Sequence, residues 1–314
     1  MTVSAYRVEE TGLRSVDPKG DLSEALWIDL CNPGKADAER MAELGFEIPR
    51  LKDMGQIEPS QRLTRKGEAD MLTVMLTEPS GDGDDSFAPV TFLLRESQIV
   101  TVRFHGPNLW NGFSLARRFT PGDVAVALIA LGVGHIADVL ENWDRQLDKT
   151  AQLVFKDDEI EDADELRGLI RATGRMGEAL SDIRLNLLIL RRTLVHLEQL
   201  RAENRVNFSR KQGLKNADRD VEALTVHADA LNGRVSLAID ATMGLISLSQ
   251  NDNARYYSIV ATIFLPATLI ASIFGMNFQD MPMLDWLAGF EVSLGLMVLS
   301  SLAIFLFFVL RRWL

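Results

Sequence analysis

Two long apolar segments without charge lie near the carboxyl end of the chain. Residues 256–279 and 292–310 contain no Asp, Glu, Lys or Arg. A helix needs about 20 apolar residues to cross the hydrocarbon core of a bilayer. Buried core helices are the alternative, but core helices of soluble proteins rarely run so far without a charge. The pattern therefore predicts two membrane spans, at about residues 256–276 and 292–310.

The residues before these spans divide into two regions of different pattern. Residues 1–120 carry short apolar runs: ALWIDL, a strand MLTVMLT, and a predicted hairpin of PVTFLL and QIVTVRF. The segment NPG after ALWIDL predicts a helix to about Leu44. From Pro121 the pattern is that of long helices, with breaks near residues 156–162 and 210–218. We therefore predict an α+β protein with a cytosolic α/β domain (1–120), a long-helix stalk (121–255) and a membrane domain (256–314).

The last long helix is predicted to start near Ala217 and to continue into the first span. Its apolar positions recur at alternating steps of three and four residues, which is the spacing of a helical seam. These positions are Val221, Leu224, Ala228, Leu231, Val235, Ala238, Thr242 and Leu245. The spacing predicts that this face is buried against other helices.

Counted back from Gly275 through the first span to Asn251, the same spacing selects residues that are small or polar, with one exception, Leu265. We call these positions the stripe: Asn251, Ala254, Ser258, Ala261, Leu265, Thr268 and Ser272. Small residues at regular spacing favour close packing of helices. A water-filled path lined by hydroxyl and amide groups is the second interpretation. A single stripe cannot enclose a path, so the second interpretation requires a ring of subunits.

Pro266 lies inside the predicted first span. Its ring removes the amide hydrogen that would normally bond to the carbonyl of Thr262, so we expect a local bend or a water contact there.

Charge adds a location and an orientation. Arg255 precedes the first span and Arg311 and Arg312 follow the second, while the connecting loop has no Lys or Arg. The positive-inside rule then predicts a multi-pass membrane protein with both termini in the cytoplasm and the short loop outside. The amino terminus lacks the pattern of a signal peptide, and the single cysteine, Cys31, is typical of a reducing compartment. The net charge of −11 argues against a nucleic-acid partner.

The tripeptide Gly275, Met276 and Asn277 ends the first span, two spans from the end of a chain with a large predicted cytosolic front. With the segment YYSIVATIFLPATLIASIFGMNFQDMP and the closing RRWL, this arrangement resembles the CorA family of divalent cation channels. The segments ALWIDL and QIEPSQRLTRKGEADML are similar to the front of bacterial members. The resemblance covers nearly the whole chain.

The resemblance implies a homopentameric funnel that transports Mg²⁺ and Co²⁺ across the bacterial inner membrane. Gly275, Met276 and Asn277 would then form a selectivity ring, in which Asn277 amides hold the hydrated cation through its waters. The stripe would line the pore, with Leu265 as its hydrophobic constriction. The implied partners are other copies of the chain, divalent cations and membrane lipid. No cofactor is expected beyond Mg²⁺ itself, as the transported ion and a candidate regulator.

The sequence departs from the family pattern at the outer mouth. Met283 occupies a position where many members carry a carboxylate, although Asp280 and Asp285 remain to attract cations. The family's regulatory carboxylates do not map cleanly. Asn216 falls near one of their positions, with Asp218 and Asp220 as candidate substitutes. The acidic run at residues 157–165 is typical of a solvated turn, and a weak divalent-cation sensor is its alternative.

Other functions remain open at this point. A zinc transporter of the same superfamily would favour Cys or His ligands, but Cys31 and the four histidines are dispersed and none lies in a span. A membrane scaffold or sensor without transport would use the stripe for packing alone. No enzyme motif is present, so we expect no catalytic residues.

Overall fold

The computed structural model of the 314-residue chain describes residues 2–9, 12–55, 62–77, 87–106, 109–110, 113, 119–155, 163–209, 211–276 and 287–311. The described strands are β1 (Thr2–Glu9), β2 (Gly12–Val16), β3 (Trp27–Cys31), β4 (Leu63–Lys66), β5 (Ala69–Thr77), β6 (Phe87–Leu94) and β7 (Ile99–Arg103). The described helices are α1 (Lys35–Glu43), α2 (Leu51–Met54), α3 (Pro121–Phe155), α4 (Ala163–Ala202), α5 (Lys211–Phe274) and α6 (Gly289–Leu310). The α+β prediction is confirmed.

The strands form one mixed sheet in the order β2-β1-β3-β7-β6-β5-β4. The predicted hairpin of β6 and β7 is present and antiparallel, with Leu94 opposite Ile99. The pair β3 and β7 is parallel, and the other pairs are antiparallel. Strands β1, β2 and β4 were not predicted. The edge strands β2 and β4 are largely polar, so the apolar pattern did not mark them.

Both faces of the sheet are covered, which explains why β3 and β7 are buried throughout. One face packs with Met41 and Phe46, which belong to α1 and the turn after it. The other face packs in one core with buried side chains of α3, α4 and the first part of α5. This larger core is where the long helices and the sheet meet.

The seam of α5 is buried as predicted: Val221, Ala228, Leu231, Val235, Ala238 and Thr242 are buried, and Leu224 and Leu245 are half-buried. The helix starts at Lys211 rather than near Ala217, and the break before it lies between Ala202 and Lys211. The predicted break at residues 210–218 was therefore misplaced. The first turns of α5 are polar, so the apolar seam begins later than the helix.

The chain divides into two compact units, and the boundary between them falls within a helix. The first unit contains residues 1–157 and 168–239, and the second contains residues 158–167 and 240–314. Helix α5 supplies residues to both units.

The aspartate Asp29 in β3 forms a buried ion pair with Arg103 in β7. The Arg103 Nη2 lies 2.8 Å from Asp29 Oδ2, and both side chains are 5% exposed. Thr101 and Trp110 also donate to Asp29 Oδ1, at 2.6 and 2.9 Å. Since a buried carboxylate is costly without partners, this set of donors is what allows Asp29 to lie inside the core.

A second buried carboxylate, Asp123, joins the start of α3 to the segment before α5. Its Oδ2 accepts hydrogen bonds from the backbone amides of Thr120 and Ser209, at 3.1 and 3.0 Å, and from both hydroxyls. Burial acts to raise the pKa of Asp123, but these hydrogen bonds outweigh burial and hold the pKa below its usual value. The ionised form of Asp123 therefore stabilises this junction.

Candidate functional site

Three of the described helices are long and apolar enough to cross a membrane: residues 121–152 of α3, part of α5, and α6. Most of the apolar window of α3 is buried, because α3 packs on the sheet, whereas few residues in the windows of α5 and α6 are buried. Gly132 illustrates the packing of α3, since a Cβ added there would lie 2.5 Å from the Leu76 Cδ2 in β5. We therefore assign α3 to the soluble core and the candidate spans to α5 and α6.

The seven stripe residues are all exposed in the chain: Asn251, Ala254, Ser258, Ala261, Leu265, Thr268 and Ser272. Leu265 is 69% exposed. The contacts of α5 with α6 lie elsewhere on the helix. Ile259 is buried, and Val260, Ile263, Pro266, Ala267, Ile270 and Phe274 are half-buried.

The stripe and the packing face lie on roughly opposite sides of α5. At about 100° per residue, positions such as Ile263 and Ile270 point away from Leu265 and Ser272. On α6, Ser293 and Phe308 are buried, and Ser301 contacts the Ile263 carbonyl of this side of α5. Packing against α6 therefore does not account for the small residues of the stripe.

Hydroxyl groups bond to backbone carbonyls around Pro266. The helix α5 continues through this proline to Phe274. Thr262 and Thr268 donate to the carbonyls of Ser258 and Phe264, four residues earlier, at 2.7 and 2.9 Å. Such back-bonding is associated with bending of helices. The turn that contains Pro266 is thus surrounded by side-chain hydrogen bonds.

Ser301 of α6 donates a hydrogen bond to the carbonyl of Ile263, with the two oxygens 3.1 Å apart. The sequence interpretation did not include this residue. Ser300 and Ser301 stand out as adjacent polar residues in an otherwise apolar span, and polar side chains can join membrane helices by hydrogen bonds. These two serines could have indicated a contact between helices, but the sequence does not show that the partner is a backbone carbonyl.

The end of α5 lies at the predicted tripeptide. The helix stops at Phe274, and the Gly275 amide donates to the Ala271 carbonyl at 2.9 Å. A Cβ at residue 275 would lie 3.0 Å from that same carbonyl oxygen, so glycine suits this close approach. Met276 is exposed. Asn277, Asp280, Met283 and Asp285 lie outside the described residues.

The candidate regulatory carboxylates, Asp218 and Asp220, lie near the start of α5. Asp218 is half-buried and its Oδ1 is 3.9 Å from the Arg191 Nε in α4, while Asp220 is exposed. Asn216 accepts a hydrogen bond from Gln212 within the same helix, at 2.9 Å. Among the described residues, no three His, Cys, Asp or Glu side chains are grouped so that they could hold a metal ion. Residues 157–162 of the acidic run lie outside the described residues.

Together, the mixed α+β front and two exposed apolar helices define a membrane protein whose second helix covers one side of the first. Residues 23–312 match the family described as CorA-like Mg²⁺ transporter protein. The chain belongs to this family. Members of the family are transporters rather than enzymes, in agreement with the expected lack of catalytic residues.

Relatives and solved structures extend the match over the whole chain. The magnesium transport protein CorA of Haemophilus influenzae is 27% identical, and the alignment covers 99% of this chain and 100% of that protein. The complete structure of the CorA magnesium transporter from Methanocaldococcus jannaschii superposes with a TM-score of 0.75 at 16% identity, over 100% of this chain and 99% of that one.

A further solved structure matches less of the chain. The cytoplasmic domain of ZntB from Vibrio parahaemolyticus has a TM-score of 0.54 at 11% identity, and the match covers 77% of this chain and 96% of that one. This likeness concerns the fold alone and does not favour zinc.

Proposed function

We propose that this protein transports Mg²⁺, and also Co²⁺, across the bacterial inner membrane through an axial path formed by α5 of five identical copies. The observation that carries the proposal is the exposure of the whole stripe on the side of α5 opposite α6. A single chain leaves these small and polar positions uncovered, and copies arranged around an axis would bring them together.

The stripe suits a hydrated cation. Thr268 already donates its hydroxyl hydrogen to the Phe264 carbonyl, so its oxygen offers lone pairs to waters held by Mg²⁺. Mg²⁺ dehydrates reluctantly and usually keeps several waters. Polar groups that contact those waters can therefore pass the ion without replacing its full shell. Leu265 would form the hydrophobic constriction of this path.

Selectivity at the outer mouth is assigned to Gly275, Met276 and Asn277. A ring of Asn277 amides would hold the hydrated cation, and Asp280 and Asp285 would attract cations to the mouth by their field. Both termini would lie in the cytoplasm. Asp218 and Asp220 are the candidate carboxylates for regulation by Mg²⁺, and a cation bound there would compete with Arg191, which lies beside Asp218.

The proposal can be tested with the purified chain in proteoliposomes that contain a Mg²⁺-sensitive dye. We expect inward Mg²⁺ and Co²⁺ flux, and we expect Asn277→Ala to abolish it while the oligomer stays intact on sizing. Zn²⁺ measured with and without a proton gradient discriminates the zinc alternative. A monomer or dimer on sizing would favour the scaffold alternative.

Leu265 offers a matched pair with Leu299 of α6. The two leucines are 69% and 66% exposed, but Leu299 lies on the side of α6 away from α5 and outside the stripe. Leu265→Ala should raise the flux severalfold, because a smaller side chain weakens a hydrophobic barrier to water and ions. Leu299→Ala should leave the flux unchanged. Equal effects of the two substitutions would contradict a pore along the stripe.

A further inference from the structure

Ser301 links α6 to the backbone of α5 at one specific turn. Its hydroxyl donates to the Ile263 carbonyl at 3.1 Å, and Ser301 is half-buried between the two helices. The acceptor is a main-chain group, so the bond restrains the path of the α5 backbone as well as the distance between the helices.

The restrained turn is the one that Pro266 weakens. Proline supplies no amide hydrogen to the carbonyl of Thr262, and its ring crowds the carbonyls of the preceding turn. The Ile263 carbonyl adjoins that of Thr262, so Ser301 adds a hydrogen bond where the helix loses one of its own. The hydrogen bond thus reinforces the backbone of the weakened turn at the neighbouring carbonyl, while the Thr262 carbonyl itself is the group that the proline leaves without an amide donor.

The same turn carries the largest residue of the stripe. Leu265 directly precedes Pro266 and is exposed on the side of α5 away from α6. A change in the bend or twist of α5 at this turn would change the direction of the Leu265 side chain. The Ser301 hydroxyl and the Leu265 side chain are therefore connected through one turn of backbone.

We infer that Ser301 is a positioning residue for ion conduction: its hydroxyl fixes the turn before Pro266 and thereby the orientation of Leu265. This inference rests on the proposed function. It assigns to the second span a role in setting the width of the path that the first span lines.

The adjacent residue Ser300 provides a matched control. Its hydroxyl donates to the Met297 carbonyl of its own helix, at 2.9 Å, and it is half-buried like Ser301. Ser300→Ala and Ser301→Ala thus remove the same atom from neighbouring positions, and the second alone removes a hydrogen bond to α5.

The test measures Mg²⁺ flux in proteoliposomes as a function of external Mg²⁺, normalised to intact oligomer. We expect Ser301→Ala to change the maximal rate by about threefold, the factor that corresponds to about 0.6 kcal/mol for a hydrogen bond between membrane helices. The half-saturating Mg²⁺ concentration should stay constant, because entry is assigned to the outer ring. Ser301→Thr, which keeps a hydroxyl, should restore the wild-type rate, and Ser300→Ala should not alter it.

Each remaining outcome overturns the inference. A Ser301→Ala rate equal to that of the wild type and of Ser300→Ala would show that the hydroxyl does not position the path. Equal changes in Ser301→Ala and Ser301→Thr would assign the effect to side-chain volume. A wild-type protein that carries no Mg²⁺ would refute the proposed function itself, and the inference with it. Flux in the wild type without the expected difference between the variants would refute the inference alone.

Discussion

Replacement of Arg103 should strongly destabilise the first compact unit, which contains the sheet. Arg103 is the charged partner of Asp29, and both side chains are 5% exposed, so solvent screening does not reduce the effect. In Arg103→Met, the carboxylate would keep only its hydrogen bonds from Thr101 and Trp110. Breaking a buried ion pair from one side costs about 3–5 kcal/mol, which lowers the folding equilibrium constant by a factor of about 10²–10⁴.

Urea titration of the full chain in detergent, followed by tryptophan fluorescence, measures this loss. With a slope of about 1–3 kcal/mol per molar urea, the midpoint of Arg103→Met should fall by at least about 1 M. The double variant Asp29→Asn with Arg103→Met removes the uncompensated charge and keeps an acceptor for Thr101 and Trp110. We expect it to be more stable than Arg103→Met alone.

Two results would refute the reasoning. An unchanged midpoint in Arg103→Met would show that the ion pair does not stabilise the fold. A double variant less stable than Arg103→Met would show that the loss comes from other contacts of Arg103, such as its hydrogen bonds to the carbonyls of His105 and Gly106, rather than from the unpaired carboxylate.

The folded-state pKa of Asp123 is depressed, so its stabilisation is present above its ordinary pKa of about 3.9 and is lost as the pH falls through the lower, folded-state value. Asp123→Asn should therefore melt below the wild type at pH 7, with a difference that shrinks towards pH 3; a constant difference would contradict this. Gly132→Ala should cost about 1–3 kcal/mol by crowding Leu76. Gly134→Ala, with open space at its Cβ, should gain about 0.5–1 kcal/mol, and equal urea midpoints for both glycine variants would contradict the packing of α3.

The elements predicted from the sequence are those with a strong apolar period. The β6 and β7 hairpin and the seam from Val221 to Ala238 follow patterns that burial imposes on sheets and helices. Strands β2 and β4 lie at the sheet edges, where polar residues are tolerated, so segments such as LTRK gave no signal. The start of α5 was missed because its first turns are polar and have no apolar period.

Only part of the candidate site could be predicted from the sequence. The stripe was found because Ala254, Ser258 and Ala261 recur at helical steps, and a period is a property of one segment. The Ser301 contact with Ile263 joins two segments through a backbone carbonyl, and a carbonyl is common to every residue. The spacing of side chains along either helix therefore does not predict this hydrogen bond.

In the proposed path, where the stripe faces the ion, the hydroxyl of Thr268 would have a consequence for the sign of the permeating ion. Its hydrogen is directed into its own helix, towards the Phe264 carbonyl, so the oxygen presents electron pairs to whatever passes. An anion such as chloride would find no proton to bind at this level, whereas water oriented around a positive ion would. Discrimination between positive and negative ions can thus arise at Thr268 from a neutral side chain, and it should persist at high ionic strength, where fixed surface charges are screened.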